Sequence, residues 1–238
     1  MSKRRMLVVG AHSADFVWRA AGAVAKHTAG GGEALVLALS YGERGESGEL
    51  WKDPNQTIEN VKRLRHAEAE KAAAAVGATL EAFDMGDYPL RIGNEGVDRL
   101  ADLMRDYAPH VILTHPDRDP FNPDHPAAHA AVATARQLTA GAGVASGFKT
   151  APPSEFLVFE PHQPELCGFV PTVFVDITDV MPAKQEAMAA MGAQGYLREY
   201  YTQRADQRGN HARRVSGNAA IRQAEAFQRL IPNVAGTL

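Results

Sequence analysis

The chain has 238 residues, 45% hydrophobic and 22% charged, which suits one globular unit with a sizeable core rather than a disordered or repetitive chain. A formal net charge of −3 and a pI near 6.3 argue against a general nucleic-acid binder. The single cysteine, Cys167, excludes an internal disulfide and fits a reducing compartment.

Lys3, Arg4 and Arg5 lead into the apolar run Met6 to Gly10, which is too short for a secretory signal and reads as a first strand. A helix over Val17 to Ala29 and a strand over Ala34 to Ser40 follow. Thr57 to Val76 is predicted as a helix with an Ala-rich face, Thr79 to Phe83 as a third strand, Val97 to Tyr107 as a helix and His110 to Thr114 as a fourth strand. Asp124 to Leu138 reads as a helix, and the Gly/Ala/Ser-rich stretch Thr139 to Gly147 as a linker. Beyond Pro152-Pro153, strands are expected at Phe156 to Phe159 and Val173 to Ile177 with no helix between them, then helices at Met181 to Met191 and Ala219 to Leu230. The alternation implies right-handed βαβ units: an α/β, Rossmann-like chain with a mainly parallel sheet flanked by helices. We expect a single domain over residues 1–238, with 1–147 as the metal-binding core and 148–238 as an extension that completes the site. No run reaches the length of a membrane span, so a cytoplasmic protein is expected.

The segment Ala11-His12-Ser13-Ala14-Asp15 stands directly behind the first strand, where open α/β sheets place their ligands. An imidazole and a carboxylate three residues apart can share a metal ion, with Asp15 alternatively a helix cap. A further donor has a natural place after the fourth strand, where the chain runs from His115 through Asp117, Asp119, Asn122, Asp124 and His125 to His129. Loops after different strands of such a sheet converge on one edge, so His125 can meet His12 and Asp15. His125 and His129 have the i, i+4 spacing that zinc sites use, and one of them is expected to bind metal. Asp119 and Asp124 are candidates to orient an imidazole from behind. His115, His129 and Asp117 otherwise read as solvated or locally hydrogen-bonded loop groups.

The strand ending in Ala-His-x-x-Asp, the Arg65-x-x-Glu68 helix leading to Ala-Val-Gly-Ala, and Asn122-Pro-Asp-His125 resemble the PIG-L/LmbE-like superfamily of metal-dependent enzymes over most of the first 140 residues. Its members mostly deacetylate N-acetylated sugars. The resemblance implies zinc on His12, Asp15 and His125, although His and Asp donors also accept iron, manganese or cobalt. Members often assemble symmetrically, but no patch in this chain establishes an interface.

Departures from the family pattern matter as much as the match. The Asp that serves the deacetylases as general base is Ala14 here, the Glu after the metal-binding Asp is Phe16, and the His that steadies the oxyanion is Asn122. Methyl and phenyl groups transfer no protons, so a different reaction is expected at a retained metal. Four blocks, residues 11–22, Ser40 to Ser47, Phe159 to Glu165 and Glu199-Tyr-Tyr-Thr, resemble one branch of the superfamily, the 4-oxalomesaconate hydratases of gallate and protocatechuate breakdown. That resemblance implies a hydro-lyase adding water to an unsaturated oxo-tricarboxylate, with a zinc-dependent N-acetyl deacetylase as the alternative.

Hydration needs a base for water and an acid for the neighbouring carbon. Glu43 and Glu46 follow the second strand, on the metal's edge of the sheet, and Glu46 is preferred. His162, between prolines in Glu160-Pro-His-Gln-Pro, is the second catalytic candidate. A substrate carrying several carboxylates calls for guanidinium groups. Arg44, Arg204, Tyr200 and Asn122 are the expected substrate contacts, with Tyr201 and Arg19 also in reach. No nucleic-acid or membrane partner is expected.

Overall fold

The computed structural model describes residues 3–144 and 150–234. Among the described residues, seven helices flank one seven-stranded sheet. β1 (Arg5–Gly10) leads to α1 (Asp15–Arg19) and α2 (Ala21–Ala29), then to β2 (Glu33–Ala38), α3 (Ile58–Ala75), β3 (Thr79–Ala82), α4 (Asn94–Tyr107), β4 (Val111–Thr114) and α5 (Asp124–Leu138). The remainder comprises β5 (Glu155–Phe159), β6 (Val173–Asp176), α6 (Met181–Ala190), a 3₁₀ segment at Gly192–Leu197, α7 (Arg198–Ser216) and β7 (Ala224–Arg229). The sheet order is β3-β2-β1-β4-β5-β7-β6. β1 to β5 pair in parallel, and β7 enters antiparallel between β5 and β6.

Both faces of β1 are covered, which explains why it reads as a continuous apolar run rather than an alternation. Met6 and Val8 join a core layer with residues of α1, α2, α3 and α6, while Leu7 and Val9 join a second layer with α4 and α5. The order reverses at β1, whose neighbours are β2 on one side and β4 on the other. Ligands bind at such a switch point, because the loops leaving the two strands diverge and open a crevice.

The α/β class and the parallel core are as the sequence predicts, while several boundaries differ. The first helix begins at Asp15 and is interrupted at Ala20, whose backbone departs from helical angles. Residues 145–147 of the expected linker lie outside the described residues. The expected helix over Ala219 to Leu230 is instead strand β7, and the helix of this region, α7, lies earlier. The Ala/Glu/Gln/Arg composition favours a helix, but the slot between β5 and β6 decides the matter: Ala226 packs with Val158 and Phe169, and Phe227 enters the main core. α7 escapes a hydrophobic pattern because its buried face is Tyr201, Ala205, Arg208, Gly209 and Ala212. A Cβ on Gly209 would stand 1.8 Å from the Arg222 carbonyl oxygen, so this helix sits on the chain leading into β7 only because it has glycine there. Among the described residues, no helix is long and apolar enough to cross a membrane.

Candidate active site

Three strand ends supply the site. His12 and Asp15 follow β1, Glu46 follows β2, and His125 opens the helix after β4; each offers a donor atom, and the four atoms lie within 4.8 Å of one another. His12 Nδ1 is 3.2 Å from Glu46 Oε1 and 3.5 Å from Asp15 Oδ2. His125 Nε2 is 3.6 Å from Asp15 Oδ1 and 3.9 Å from Glu46 Oε1. Gly10 is needed for this approach, since a Cβ there would meet the Asp15 Cβ and the His12 carbonyl oxygen at 2.9 Å.

Each imidazole is oriented from behind by a carboxylate. His12 Nε2 faces Asp124 Oδ2 at 3.2 Å, and His125 Nδ1 faces Asp119 Oδ2 at 2.8 Å. Donation of those N–H groups to the carboxylates leaves the lone pairs of His12 Nδ1 and His125 Nε2 turned inward, and both atoms are buried without a hydrogen-bond partner. Two sealed, unpartnered imidazole nitrogens beside two carboxylates form a donor set that fits zinc. Asp124 is itself fixed by the Tyr88 and Leu90 N–H groups, each donating at 2.8 Å.

Burial opposes charge throughout the cluster, and neighbouring groups decide each outcome. Burial works against a charged His12, yet Glu46, Asp124 and Asp15 raise its pKa well above 6.5. Burial likewise favours a protonated Glu46, but His12 brings its carboxyl down to about 2. Asp15 resists burial through His115 and Arg19 and lies well below 3.8. These shifts describe carboxylates held ionised against imidazoles, the charge balance that a bound cation also satisfies.

A cavity of about 360 Å³ opens beside the cluster, walled by Glu46, Asn122, His125, Asp119 and Arg19 from the first part of the chain and by His162, Gln163, Gln194, Tyr196 and Tyr201 from the later part. Glu46 is held toward it by Asn122 Nδ2 at 3.3 Å and Gln194 Nε2 at 3.4 Å. Gln194 is in turn held by Arg65, which donates to its Oε1 at 3.0 Å, and Arg65 bonds Glu68 at 2.8 Å. The Arg65-x-x-Glu68 pair thus acts on the site through Gln194. Nothing in the local sequence around Gln194 signals this, because the contact joins α3 to a 3₁₀ segment 129 residues away.

The other expected positions divide. Asn122, Glu46 and His162 line the cavity, as do Arg19 and Tyr201, whereas Arg44, Arg204 and Tyr200 do not. Arg44 is exposed and donates to the Asp87 carbonyl oxygen at 2.8 Å. Arg204 pairs with Glu160 at 2.6 Å, and the Tyr200 hydroxyl bonds the His162 carbonyl oxygen while its ring stacks on the imidazole at 4.1 Å. These three expected substrate contacts thus stand outside the cavity lining, with their polar groups bonded to a main-chain carbonyl, to Glu160 and to the His162 loop. His115 departs from the solvated or locally hydrogen-bonded loop role expected of it. Rather than solvated, it is buried against Asp15 Oδ2 at 2.9 Å and stacked on the His125 ring at 4.0 Å. Burial and His125 push its pKa down to about 3. His129 bonds the His115 carbonyl oxygen at 2.7 Å and Asp117 is exposed, in keeping with loop roles.

Comparison with known proteins places these features in a family context. Residues 7–136 match the family described as PIG-L, GlcNAc-PI de-N-acetylase. The chain is 44% identical over 99% of its length to the 4-oxalmesaconate hydratase of Pseudomonas putida, covering 93% of that protein. The crystal structure of the 4-carboxy-2-hydroxymuconate hydratase from Pseudomonas putida KT2440 superposes with a TM-score of 0.96 at 44% identity, covering 99% of each chain. The N,N'-diacetylchitobiose deacetylase from Pyrococcus horikoshii shares the fold, with a TM-score of 0.79 at 18% identity over 95% of this chain and 84% of that one.

Proposed function

Because the chain belongs to the PIG-L family of GlcNAc-PI de-N-acetylases yet carries Ala14 and Phe16 where the deacetylation motif has acids, we propose that it is a metal-dependent hydro-lyase. Its substrate is 4-oxalomesaconate, of which 4-carboxy-2-hydroxymuconate is the enol form, and its product is 4-carboxy-4-hydroxy-2-oxoadipate, a step in aromatic acid breakdown. The observation that carries this reading is a retained donor set beside a lost base: His12, Asp15 and His125 converge, while Ala14 is a fully buried methyl in the core layer under them. The full-length likeness to hydratases from Pseudomonas supports the same reaction.

His12 Nδ1, Asp15 and His125 Nε2 would hold the metal, leaving a coordination position toward the cavity. Zinc bound there supplies Lewis acidity to an oxo-acid oxygen or to water. Glu46 takes a proton from water as its oxygen bonds the alkene carbon that bears the branching carboxylate. The π electrons move to the neighbouring carbon, which receives a proton, so one water is added and nothing is released. His162 also lines the cavity, with Tyr201 Oη 3.4 Å from its Nδ1, and carries the proton to that carbon. Asn122 and Gln194 keep Glu46 in place. The two parts of the chain work as a single domain, residues 1–147 giving the donors and 148–238 the far wall, in the cytoplasm.

The test is the loss of ultraviolet absorbance from 4-oxalomesaconate with purified protein. Loss abolished by chelator and restored by zinc is the expected result. A folded, metal-loaded protein that leaves the alkene intact and releases acetate from N-acetylglucosamine would replace this reading with deacetylation.

A further inference from the structure

A substrate with three carboxylates enters a cavity whose walls already carry Glu46 and Asp119, so the placement of fixed positive charge decides whether it can bind. Among the lining residues only Arg19 has a fixed cation. Three other guanidinium groups nearby are engaged elsewhere, Arg44 on Asp87, and Arg204 and Arg208 both on Glu160, while Arg118, beside Asp119, is exposed and is not part of the cavity lining.

Arg19 ends α1 and is 8% exposed. Its Nη1 bonds Asp15 Oδ1 at 2.5 Å, which ties one corner of the guanidinium to the donor cluster. Nε is buried with no partner, and no protein acceptor among the described residues bonds Nη2. The Nε–Nη2 edge of a guanidinium can pair with a carboxylate through two parallel bonds, and it is the edge that the Asp15 bond at Nη1 leaves open. Leaving such donors unmatched on a buried charge is costly, so the edge is suited to an acceptor that arrives with a ligand.

We propose that Arg19 is the carboxylate receptor of the cavity and the residue that selects an anionic substrate over a neutral N-acetyl sugar. Its bond to Asp15 puts this carboxylate site next to the donor cluster, in a cavity that Glu46 also lines. The identity of the substrate rests on the hydratase reading; the preference for a carboxylate does not.

Tricarballylate, a saturated tricarboxylate that cannot be hydrated, serves as the probe, titrated by calorimetry into zinc-loaded wild type, Arg19→Gln and Arg19→Lys, with zinc content and melting temperature measured on each. Arg19→Gln should bind tricarballylate roughly ten- to a hundredfold more weakly while retaining its zinc. Arg19→Lys, which keeps the charge but loses the paired donors, should fall between the two. KM for 4-oxalomesaconate should rise by a larger factor than kcat falls. Unchanged tricarballylate affinity in Arg19→Gln overturns the assignment. A loss confined to zinc content or kcat also overturns it, because that pattern marks a group that merely orients Asp15. Should Arg19→Gln not fold, Arg19→Lys decides, weakened binding supporting the proposal and wild-type binding sinking it. Since the titration needs no turnover, a wild type that binds tricarballylate through Arg19 but leaves 4-oxalomesaconate intact removes the hydratase reading alone.

Discussion

The two walls of the cavity use their charged groups in different ways. On the wall built by the loops after β1, β2 and β4, donor atoms of His12, Asp15, Glu46 and His125 meet in a shared space, and the two imidazoles are oriented by carboxylates behind them. Behind the wall lined by residues 162–201, the charged groups are spent on one another and on the chain: Glu160 pairs with both Arg204 and Arg208, and Arg204 and Tyr200 bond the His162 carbonyl oxygen. The first wall derives its precision from strand ends in a rigid sheet, the second from a clamp that holds one loop. A clustered set of arginines near a site is therefore no guide to which of them faces the substrate.

The comparison breaks first at Glu46. If the first wall performs the proton abstraction, Glu46→Gln should lower kcat by about 10²–10⁴-fold with zinc retained. Steady-state kinetics with metal analysis checks this, and near-normal turnover would move the base to the other wall. Close behind in size is Lys184→Met. Lys184 and Glu225 are both buried; Lys184 donates to the Trp18 carbonyl oxygen at 3.0 Å, while Glu225 accepts from the Gly22 and Ala23 N–H groups that start α2. Removing the ammonium leaves Glu225 buried with its charge unmatched, so stability should fall by about 3–5 kcal/mol in denaturant melts. The pair bonds the chain on both sides of the break between α1 and α2, at Trp18 and at Gly22 and Ala23.

Asp124→Asn and Asp119→Asn sharpen the account of the first wall. Each should weaken zinc binding by roughly 10–100-fold, since the imidazole exchanges a charged carboxylate partner for a neutral amide while the metal keeps its ligands. Competition with a zinc chelator reads the difference. Equal zinc affinity in wild type and both variants would show that His12 and His125 are fixed by packing alone.

How much of this is legible in the sequence follows from the same contrast. His12, Asp15 and His125 can be placed together because parallel strands end on one edge, and the apolar runs that mark β1, β2 and β4 are strong. The second wall offers no such rule. α7 buries an arginine and a glycine where a hydrophobic stripe would be sought, β7 is made of helix-forming residues, and Gln194 acts through Arg65 from a distant helix. Arg204 and Tyr200 have the right chemistry for a substrate, but only the packed structure shows that the His162 loop takes it up.

The smallest effect concerns the pH response of that loop. Burial first, then Arg19 and Arg204, lower the pKa of His162 below 6.5, with Asp119 opposing; Tyr200 and Tyr201 complete its surroundings. An unfolded chain would bind the proton at 6.5, the folded chain only at lower pH. The unfolded state therefore takes up more protons as pH falls through 6.5, and stability drops there. Above that value both states carry a neutral ring and the contribution is fully present. His162→Gln should remove this dependence, so the stability gap between wild type and variant should be flat above pH 7 and shift against the wild type as pH falls below 6.5. Denaturant melts of both proteins between pH 5 and 8 test it. A constant gap over that range would mean that the ring protonates as easily in the folded loop as in water, and that the clamp of Arg204 and Arg208 holds the backbone of the second wall without shaping the charge of its imidazole.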